Sequence, residues 1–363
     1  MQKYRPNQVT LDRRAFAENL SLLGAILPIG TEIWQVCKGA GYGLGTVVAA
    51  GLGYDAGLRR FCVGTPGEAL ELKAALPEAE VLLFPSAAAE DLPALAAAGV
   101  IVTVHNAASL SAMLKRGRGS PFFIKVNTGL NRFGFDAAEL RSALAQVKAT
   151  DANALRGIYT HFSQSTDVER LSKGRALYEA MLAEAREILG RSVKSMAAAS
   201  PTALLHPGLP YDAVDPGRAL YGMLTGAEAG GRHLQPVVTS ITSRLLDSRT
   251  FAEGMVAGAG YGAALDGKVT RIGTMPIGHF HGLAGCGLGT VIIRGRETPV
   301  LARTLLASMI DLSDVLEAED GDLITLVGED GAIKRDLFGL AENLGTSATM
   351  LHFGLIRALN EAG

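Results

Sequence analysis

Apolar and polar positions along the chain follow two different patterns. From about residue 30 to 225, short apolar runs rich in β-branched residues alternate with longer stretches whose apolar residues recur at helical spacing. The runs that predict strands cover 32–37, 60–64, 79–84, 100–104, 122–126, 156–161, 194–199 and 213–220. Strands that alternate with helices are typical of parallel sheets built from βα units. Eight such units predict a (β/α)8 barrel.

Beyond about residue 232 the pattern changes to short extended runs separated by glycines, over 237–246, 268–276, 290–296 and 322–327. Helical spacing returns over 337–359. These runs predict a β-rich C-terminal domain. We therefore expect a strand within residues 1–11 that joins the C-terminal domain, a barrel over 12–230 and the β-rich domain over 231–363.

Charge and composition narrow the class of ligand. The 363 residues carry 34 basic and 36 acidic side chains, with a net charge of −2. This balance gives no electrostatic basis for binding nucleic acid or an anionic membrane, so we expect a small-molecule ligand. Glycine is abundant, at 44 residues, whereas about 7% is usual. The excess indicates many turns, or backbone that approaches a ligand closely.

The cysteines indicate a reducing compartment. Cys37, Cys62 and Cys286 are odd in number and contain no CxxC pair, which argues against a disulfide framework. The first residues lack an apolar signal core, and no apolar run approaches membrane-spanning length. We expect a cytoplasmic protein.

Reactive residues stand where several predicted strands end, which in a barrel is the active-site face. Lys38 follows the first strand and precedes a glycine-rich loop. Burial there would lower its pKa and favour the neutral amine that a Schiff base needs. His161, Ser200 and Asp215 end later strands, and loops after the last two strands commonly bind phosphate. Each residue alone also fits a structural role, such as a solvent-facing lysine or a salt-bridged aspartate.

Together these residues resemble the alanine racemase family of fold-type III pyridoxal-phosphate enzymes. The motif Lys38-x-x-x-Tyr42-Gly43 matches the family after the first strand. Further matching stretches cover 125–135, 157–163, 214–222, 258–262 and 274–282, so the resemblance spans essentially the whole chain. It implies pyridoxal 5′-phosphate as cofactor, amino acid racemisation or epimerisation by two bases, and a homodimer with shared active sites.

The resemblance assigns the residues around the cofactor. Lys38 would bond to the cofactor and act as the base on one face of the substrate. The residues that would surround the phosphate are Tyr42, Ser200, Gly217 and Arg218, the last two through backbone N–H groups.

The resemblance also assigns residues that act on the substrate. Arg132 would hold the cofactor's phenolic oxygen and the substrate carboxylate, and Lys125 matches a lysine that is often carbamylated to orient that arginine. Tyr261 would be the base on the opposite face, supplied to the barrel of the neighbouring subunit. His161 would help this tyrosine to lose its proton.

Asp215 departs from the family, which places an arginine opposite the pyridine nitrogen. A carboxylate stabilises the pyridinium and makes the cofactor a stronger electron sink. Racemisation remains possible, but so does the chemistry of a lyase, a decarboxylase or an aminotransferase. The nearby Arg218 would not replace the arginine, because an odd offset along a strand points to the other face. A third alternative is a non-catalytic cofactor carrier, against which the large second domain and the 258–262 loop argue.

Substrate-pocket positions also depart from the family. His279 and His281 stand where the family has a tyrosine and an aspartate, and Thr349 replaces a tyrosine that touches the phosphate. Leu306 matches the centre of the family's Cys-Met-Asp loop. The loss of two aromatics predicts a substrate larger than, or different from, alanine. Two histidines two apart on a strand would share a face, but two ligands are too few for a metal site, so we expect none.

Overall fold

The computed structural model describes residues 6–252, 258–260, 263–264 and 269–361. Its contacts divide the chain into two units. One unit comprises Arg14–Gly41 and Thr46–Gln235, and the other comprises Met1–Arg13, Tyr42–Gly45 and Pro236–Gly363.

The first unit is a parallel barrel, as predicted. Its strands, in chain order, are β2 (Glu32–Ile33), β3 (Gln35–Val36), β4 (Arg60–Val63), β5 (Glu80–Leu83), β6 (Ile101–Val104), β7 (Phe122–Lys125), β8 (Leu155–Tyr159), β9 (Lys194–Met196) and β10 (Ala213–Val214). They pair in the order β2-β10-β9-β8-β7-β6-β5-β4-β3. Only Trp34 separates β2 from β3, so the sheet begins and ends within one stretch of chain. The predicted first strand is therefore split between two neighbours.

Helices alternate with these strands around the barrel. They are α1 (Arg13–Ile26), α2 (Lys38–Tyr42), α3 (Thr46–Asp55), α4 (Pro66–Ala75), α5 (Leu92–Ala97), α6 (Ala107–Arg116), α7 (Ala137–Thr150), α8 (Val168–Leu189) and α9 (Ser200–Leu205). Capping boxes begin several of them: in α7, Asp136 accepts from the Glu139 N–H while the Glu139 carboxylate accepts from the Asp136 N–H. The strands are almost wholly buried, as expected of a parallel sheet covered by helices.

Several barrel strands end earlier than predicted. The strand expected over 213–220 stops at Val214, and the one expected over 194–199 stops at Met196. Pro216 has no N–H to offer a neighbouring strand, which limits how far β10 can extend. The residues after these short strands are free to form the loops of the candidate site.

The second unit is an antiparallel β-rich domain, again as predicted. Its strands are β1 (Gln8–Leu11), β11 (Val238–Arg244), β12 (Asp247–Thr250), β13 (Gly258–Ala259), β14 (Ala263–Ala264), β15 (Arg271–Met275), β16 (Thr290–Ile293), β17 (Arg296–Arg303), β18 (Ser308–Asp311), β19 (Leu323–Asp330) and β20 (Ile333–Arg335). The main sheet runs β1-β11-β19-β16-β17-β18-β15-β12, with β20 paired to β19. The N-terminal strand β1 pairs antiparallel with β11.

Short helices close the C-terminal part of this unit. They are α10 (Leu337–Asn343), α11 (Ala348–Leu351), a π-helical turn (His352–Ile356) and α12 (Arg357–Glu361). Across the described ranges of both units, no helix is both long and apolar enough to cross a membrane.

Candidate active site

The segment α2, which follows β3 and begins at Lys38, is a left-handed turn and not an ordinary α-helix. Gly39, Ala40 and Gly41 have φ values of 67°, 52° and 60°, and Tyr42 and Gly43 also have positive φ. Glycine adopts this conformation freely, whereas each non-glycine residue in it costs on the order of 1 kcal/mol. A side chain at Gly41 would also place its Cβ 2.5 Å from the Cβ of Ala49. Part of the glycine excess is thus explained by this turn.

Glu68, on helix α4, holds the turn in place. One carboxylate oxygen accepts from the Ala40 N–H at 2.7 Å, and the other accepts from the N–H groups of Gly64 and Thr65 at 2.7 and 3.1 Å. The same side chain completes the capping box of α4. Glu68 therefore joins the loop after β3 to the loop after β4.

Lys38 lies in the barrel with its ammonium group 5.5 Å from the centre of the Phe84 ring. Burial lowers the pKa of Lys38, the charge of Asp215 opposes that shift, and the charge of Arg132 adds to it. The lowered pKa increases the neutral amine fraction at a given pH, which is the form that attacks a carbonyl.

A chain of closely spaced ionisable groups lies near Lys38. Lys125, the last residue of β7, has its Nζ 2.8 Å from His161 Nδ1. His161 Nε2 is 2.6 Å from Asp215 Oδ2. Lys125 and Asp215 are each only 2% exposed. The structure thus brings together three residues that the sequence placed at the ends of separate strands.

Burial dominates the electrostatics of this chain. It lowers the pKa of Lys125 to about 7, although the charge of Asp215 pulls in the opposite direction. The pKa of His161 is also lowered, again mainly by burial and against the pull of Asp215. Neutral forms of both nitrogen bases are therefore accessible near neutral pH.

The buried Asp215 carboxylate is short of donors. Within the part of the chain that the structure describes, neither Oδ1 nor Oδ2 makes a hydrogen bond of full geometry, and the 2.6 Å contact of Oδ2 with His161 Nε2 is an ion-pair contact. A buried carboxylate oxygen without a donor is costly, so the site favours a ligand that brings an N–H group. A protonated pyridine nitrogen is such a group, and in this respect the residues fit pyridoxal phosphate.

Ser200 ties together the loops after β9 and β10. Its hydroxyl oxygen accepts from the N–H groups of Gly217 and Ala219 at 2.9 and 3.1 Å. The Gly217 N–H expected to face a phosphate is therefore bonded to Ser200. Arg218 is ion-paired with Glu228 at 2.9 Å. The strand-offset argument about Arg218 was wrong, because β10 ends at Val214 and alternation of faces does not extend to residue 218.

Arg132 is exposed on the loop after β7. Asn127 shapes this loop, since its side-chain oxygen accepts from the N–H groups of Gly129 and Asn131 at 3.1 and 3.0 Å. The charge of Arg132 lowers the pKa of both Lys38 and Lys125. Lys125 itself is hydrogen-bonded to His161, and among the described residues it makes no hydrogen bond with Arg132.

His105 is a site residue that the sequence reasoning missed. It directly follows β6, and its ring centre lies 5.1 Å from that of Phe133 on the Arg132 loop. Burial lowers its pKa, and the charge of Lys125 lowers it further. Its position after a barrel strand was a signal in the sequence, the same one that identified His161.

Two expected cofactor residues, Tyr42 and Thr349, belong to the β-rich unit. The Tyr42 ring is buried and stacks on Phe353 with a centre distance of 5.7 Å. The buried His352 ring has its Nδ1 3.1 Å from the Tyr42 carbonyl oxygen. Thr349 is half-buried on helix α11.

His279 and His281 do not lie on a strand, so the expectation that they share a strand face was wrong. Both belong to a 3-10 helix, His279–His281, where residues two apart point in different directions. His281 is buried, and its Nδ1 accepts from the Gly278 N–H at 3.0 Å. No group of three potential metal-ligating side chains occurs among the residues with described positions.

Exposed apolar side chains lie on this 3-10 helix and on the segment beside it. Phe280, Leu305 and Leu306 are 67%, 64% and 58% exposed. The Phe280 N–H donates to the Leu305 carbonyl at 2.8 Å, which brings the two segments together. Tyr261 lies outside the described residues.

The sequence and the fold match known proteins along nearly the whole chain. A family model described as the alanine racemase N-terminal domain matches residues 11–225, and one described as the C-terminal domain matches residues 238–360. The alanine racemase of Listeria innocua is 28% identical over 359 residues, covering 94% of each chain.

Solved structures give the same picture. The alanine racemase of E. faecalis aligns with a TM-score of 0.84 and 29% identity, over 98% of each chain. That of Bartonella henselae, solved with covalently bound pyridoxal phosphate, aligns with a TM-score of 0.79 and 24% identity over 97% of this chain and 98% of the other.

Proposed function

The chain belongs to the alanine racemase family, whose members are pyridoxal-phosphate-dependent isomerases, and we propose that it racemises or epimerises an amino acid with this cofactor. The observation that carries the proposal is the arrangement inside the barrel. A lysine with a lowered pKa lies in the same buried cluster as a carboxylate oxygen that lacks a donor.

The cofactor's binding groups follow from the proposal. Lys38 bonds to the cofactor, and Asp215 faces its ring nitrogen. The residues proposed for the phosphate are Tyr42, Ser200, Gly217, Arg218 and Thr349. When bound, the cofactor withdraws electrons from the substrate α-carbon and so acidifies its proton. The covalently bound pyridoxal phosphate of the Bartonella henselae enzyme supports the choice of this cofactor.

Two bases on opposite faces of the α-carbon carry out inversion in this proposal. Lys38 removes or returns the proton on one face, and its lowered pKa supports that role. Tyr261 acts on the other face, with His161 as the group that takes part in its proton exchange. Arg132 binds the substrate carboxylate, for which its forked donors are suited.

We propose a homodimer in which Tyr261 completes the active site of the partner subunit. The exposed Phe280, Leu305 and Leu306 support an apolar contact with a second copy, because monomeric surfaces seldom cluster such side chains. A cytoplasmic location is part of the proposal and is supported by the free state of Cys37 and Cys62.

We also propose a substrate larger than, or different from, alanine. The positions that bear on it are His279, His281, Leu306 and Thr349, and at two of them, His279 and Thr349, a smaller or more polar side chain replaces a tyrosine expected of the family. A direct comparison of substrates tests this proposal.

A second candidate function rests on Asp215. A carboxylate at the ring nitrogen strengthens electron withdrawal, which favours lyase, decarboxylase or aminotransferase chemistry. The partnerless Oδ1 of this residue is the observation in its favour.

The deciding experiment uses purified protein and a panel of L- and D-amino acids in deuterated water. We expect the visible absorbance of protein-bound pyridoxal phosphate, its loss in Lys38→Ala, and its retention in Lys148→Ala, an exposed lysine on α7. Chiral analysis should show both enantiomers with deuterium at the α-carbon.

Keto acids, amines or aldehydes as the main products would favour the second candidate instead. A protein without the visible band, even after incubation with pyridoxal phosphate, would contradict the cofactor assignment. Alanine as the substrate with the highest kcat/KM would contradict the substrate proposal while leaving racemisation intact.

A further inference from the structure

The chain of Lys125, His161 and Asp215 links three separate strands of the barrel. Lys125 ends β7, His161 lies just beyond β8, and Asp215 follows β10. The Lys125–His161 hydrogen bond is 2.8 Å long and the His161–Asp215 ion-pair contact is 2.6 Å, so two lone pairs cannot face one another at either contact and each pair of atoms must hold a hydrogen between them. The chain therefore imposes a proton pattern on its central imidazole.

The positions of the hydrogens on His161 follow from whether Asp215 and Lys125 can donate or accept a hydrogen bond. A carboxylate only accepts, so His161 Nε2 must carry a hydrogen toward Asp215 Oδ2. In a neutral imidazole the other nitrogen, Nδ1, then has a lone pair, and it accepts from the Lys125 amine. Asp215 and Lys125 therefore favour the same tautomer, and removing the Lys125 donor would leave Nδ1 unsatisfied and the ring less firmly held.

Building on the proposed function, we propose that Lys125 is a positioning residue with an unmodified amine. Together with Asp215 it fixes the tautomer of His161 and, through that ring, holds the Asp215 carboxylate with its other oxygen directed to the cofactor's ring nitrogen. Lys125 acts through His161 and touches neither substrate nor cofactor in this proposal. It replaces the expectation of a carbamylated lysine that orients Arg132.

The surroundings of Lys125 favour an amine over a carbamate. Its Nζ lies 4.4 Å from the centre of the Tyr159 ring as well as 2.8 Å from His161. The Tyr159 hydroxyl is bonded to Thr103 at 3.1 Å, so it is engaged elsewhere. A carbamate would add an anion to a buried cluster that already holds the Asp215 carboxylate, and burying a second charge is costly.

Other ionisable groups act on the same cluster. They are Lys38, Cys62, His105, Arg132 and Tyr159. Lys38 and Arg132 are cations, and both lower the pKa of Lys125, which favours its neutral amine. An amine donates to Nδ1 whether or not it carries the extra proton, so the pattern persists as Lys125 titrates.

Two measurements on the wild-type holoenzyme test the proposal, and Lys125→Arg serves only to assign a carbamate signal if one appears. With ¹³C-bicarbonate, we expect no carbamate resonance in the NMR spectrum. With ¹⁵N-labelled histidine, we expect His161 to carry its hydrogen on Nε2. A carbamate signal that disappears in Lys125→Arg, or an Nδ1–H tautomer of His161, would overturn the proposal.

Matched variants test the link to Asp215. In Lys125→Met, which keeps the length and loses the donor, we expect the pH midpoint of the visible cofactor band to shift by about one unit. We expect Lys125→Arg to restore most of that shift and Lys148→Met to show none. An unchanged midpoint and an unchanged His161 spectrum in folded Lys125→Met would overturn the positioning role.

This test is distinguishable from the test of the proposed function. A protein that never shows the visible band contradicts the cofactor assignment, yet its histidine spectrum still reports the tautomer of His161. Conversely, a racemase with a carbamate at Lys125 contradicts only the inference made here.

Discussion

Lys125 shows how burial decides the chemistry of a single residue in this barrel. It is almost fully buried, and the cost of desolvating its ammonium group outweighs the attraction of Asp215. Its pKa therefore falls from 10.5 to about 7. A lysine in this state can serve as a hydrogen-bond donor at neutral pH without carrying a full buried charge.

The lowered pKa of Lys125 predicts a pH dependence of stability. Between its folded pKa and its unfolded pKa, the unfolded chain binds more protons, so this residue makes folding more favourable as the pH rises. Below pH 7 the full cost of the buried ammonium remains. From about pH 7 to about pH 9, the wild type should gain about 1–3 kcal/mol relative to Lys125→Met.

The measurement is urea unfolding of cofactor-free protein across that pH range. Lys148→Met is the matched control, and its difference from the wild type should stay constant. A constant difference for Lys125→Met as well would mean that Lys125 titrates at an ordinary pKa in the folded protein.

At the scale of the element, the left-handed turn after β3 depends on a contact from another helix. Ala40 has an unfavourable positive φ, and Glu68 on α4 accepts from its N–H. The turn also carries Lys38 at its start. The position of the reactive lysine is therefore coupled to a carboxylate that lies 28 residues beyond Ala40 in the chain.

Glu68→Ala tests this coupling, and Glu139→Ala is a matched control. Both glutamates complete capping boxes, but only Glu68 also bonds to the turn. We expect Glu139→Ala to cost about 0.5–1 kcal/mol and Glu68→Ala about 1–3 kcal/mol more. Thermal unfolding and racemase assays would measure this. Equal losses in the two variants would show that the contact with Ala40 contributes nothing.

The fold was predictable from the sequence where local pattern determines it. Apolar runs alternating with helical stretches gave the barrel, because each strand and each helix buries its own periodic face. The 3-10 helix at His279–His281 was not predictable in this way. Its backbone bonds to Thr304 and Leu305, which are distant in sequence, and local periodicity carries no information about such partners.

The sequence predicted which residues belong to the candidate site better than it predicted which of them contact one another. Lys38, His161 and Asp215 were identifiable because they follow barrel strands. The hydrogen bond from Lys125 to His161 and the ion-pair contact from His161 to Asp215 depend on strand register and side-chain reach across the barrel interior. His105 followed the same rule and was overlooked only because it formed part of no recognised motif.

At the scale of the whole molecule, the proposed mechanism draws on both units of the chain. The barrel unit contains Lys38, and the β-rich unit contains the segment of Tyr261. If Tyr261 serves the partner subunit, each active site of the dimer combines residues from two chains. Mixing two inactive variants, each with a substitution in a different unit, should then restore racemase activity in the mixed dimers.

Subunit mixing tests this arrangement. Lys38→Ala and Tyr261→Phe should each lose racemisation, but a mixed dimer places both lesions in one active site and leaves the other intact. Random mixing at equal amounts makes about half of the dimers mixed, so activity should recover to about a quarter of wild type. Dimers formed from Lys38→Ala and Lys38→Ala,Tyr261→Phe should remain inactive. Inactivity of the first mixture, once subunit exchange is demonstrated by differently tagged chains, would mean that Lys38 and Tyr261 act within the same chain.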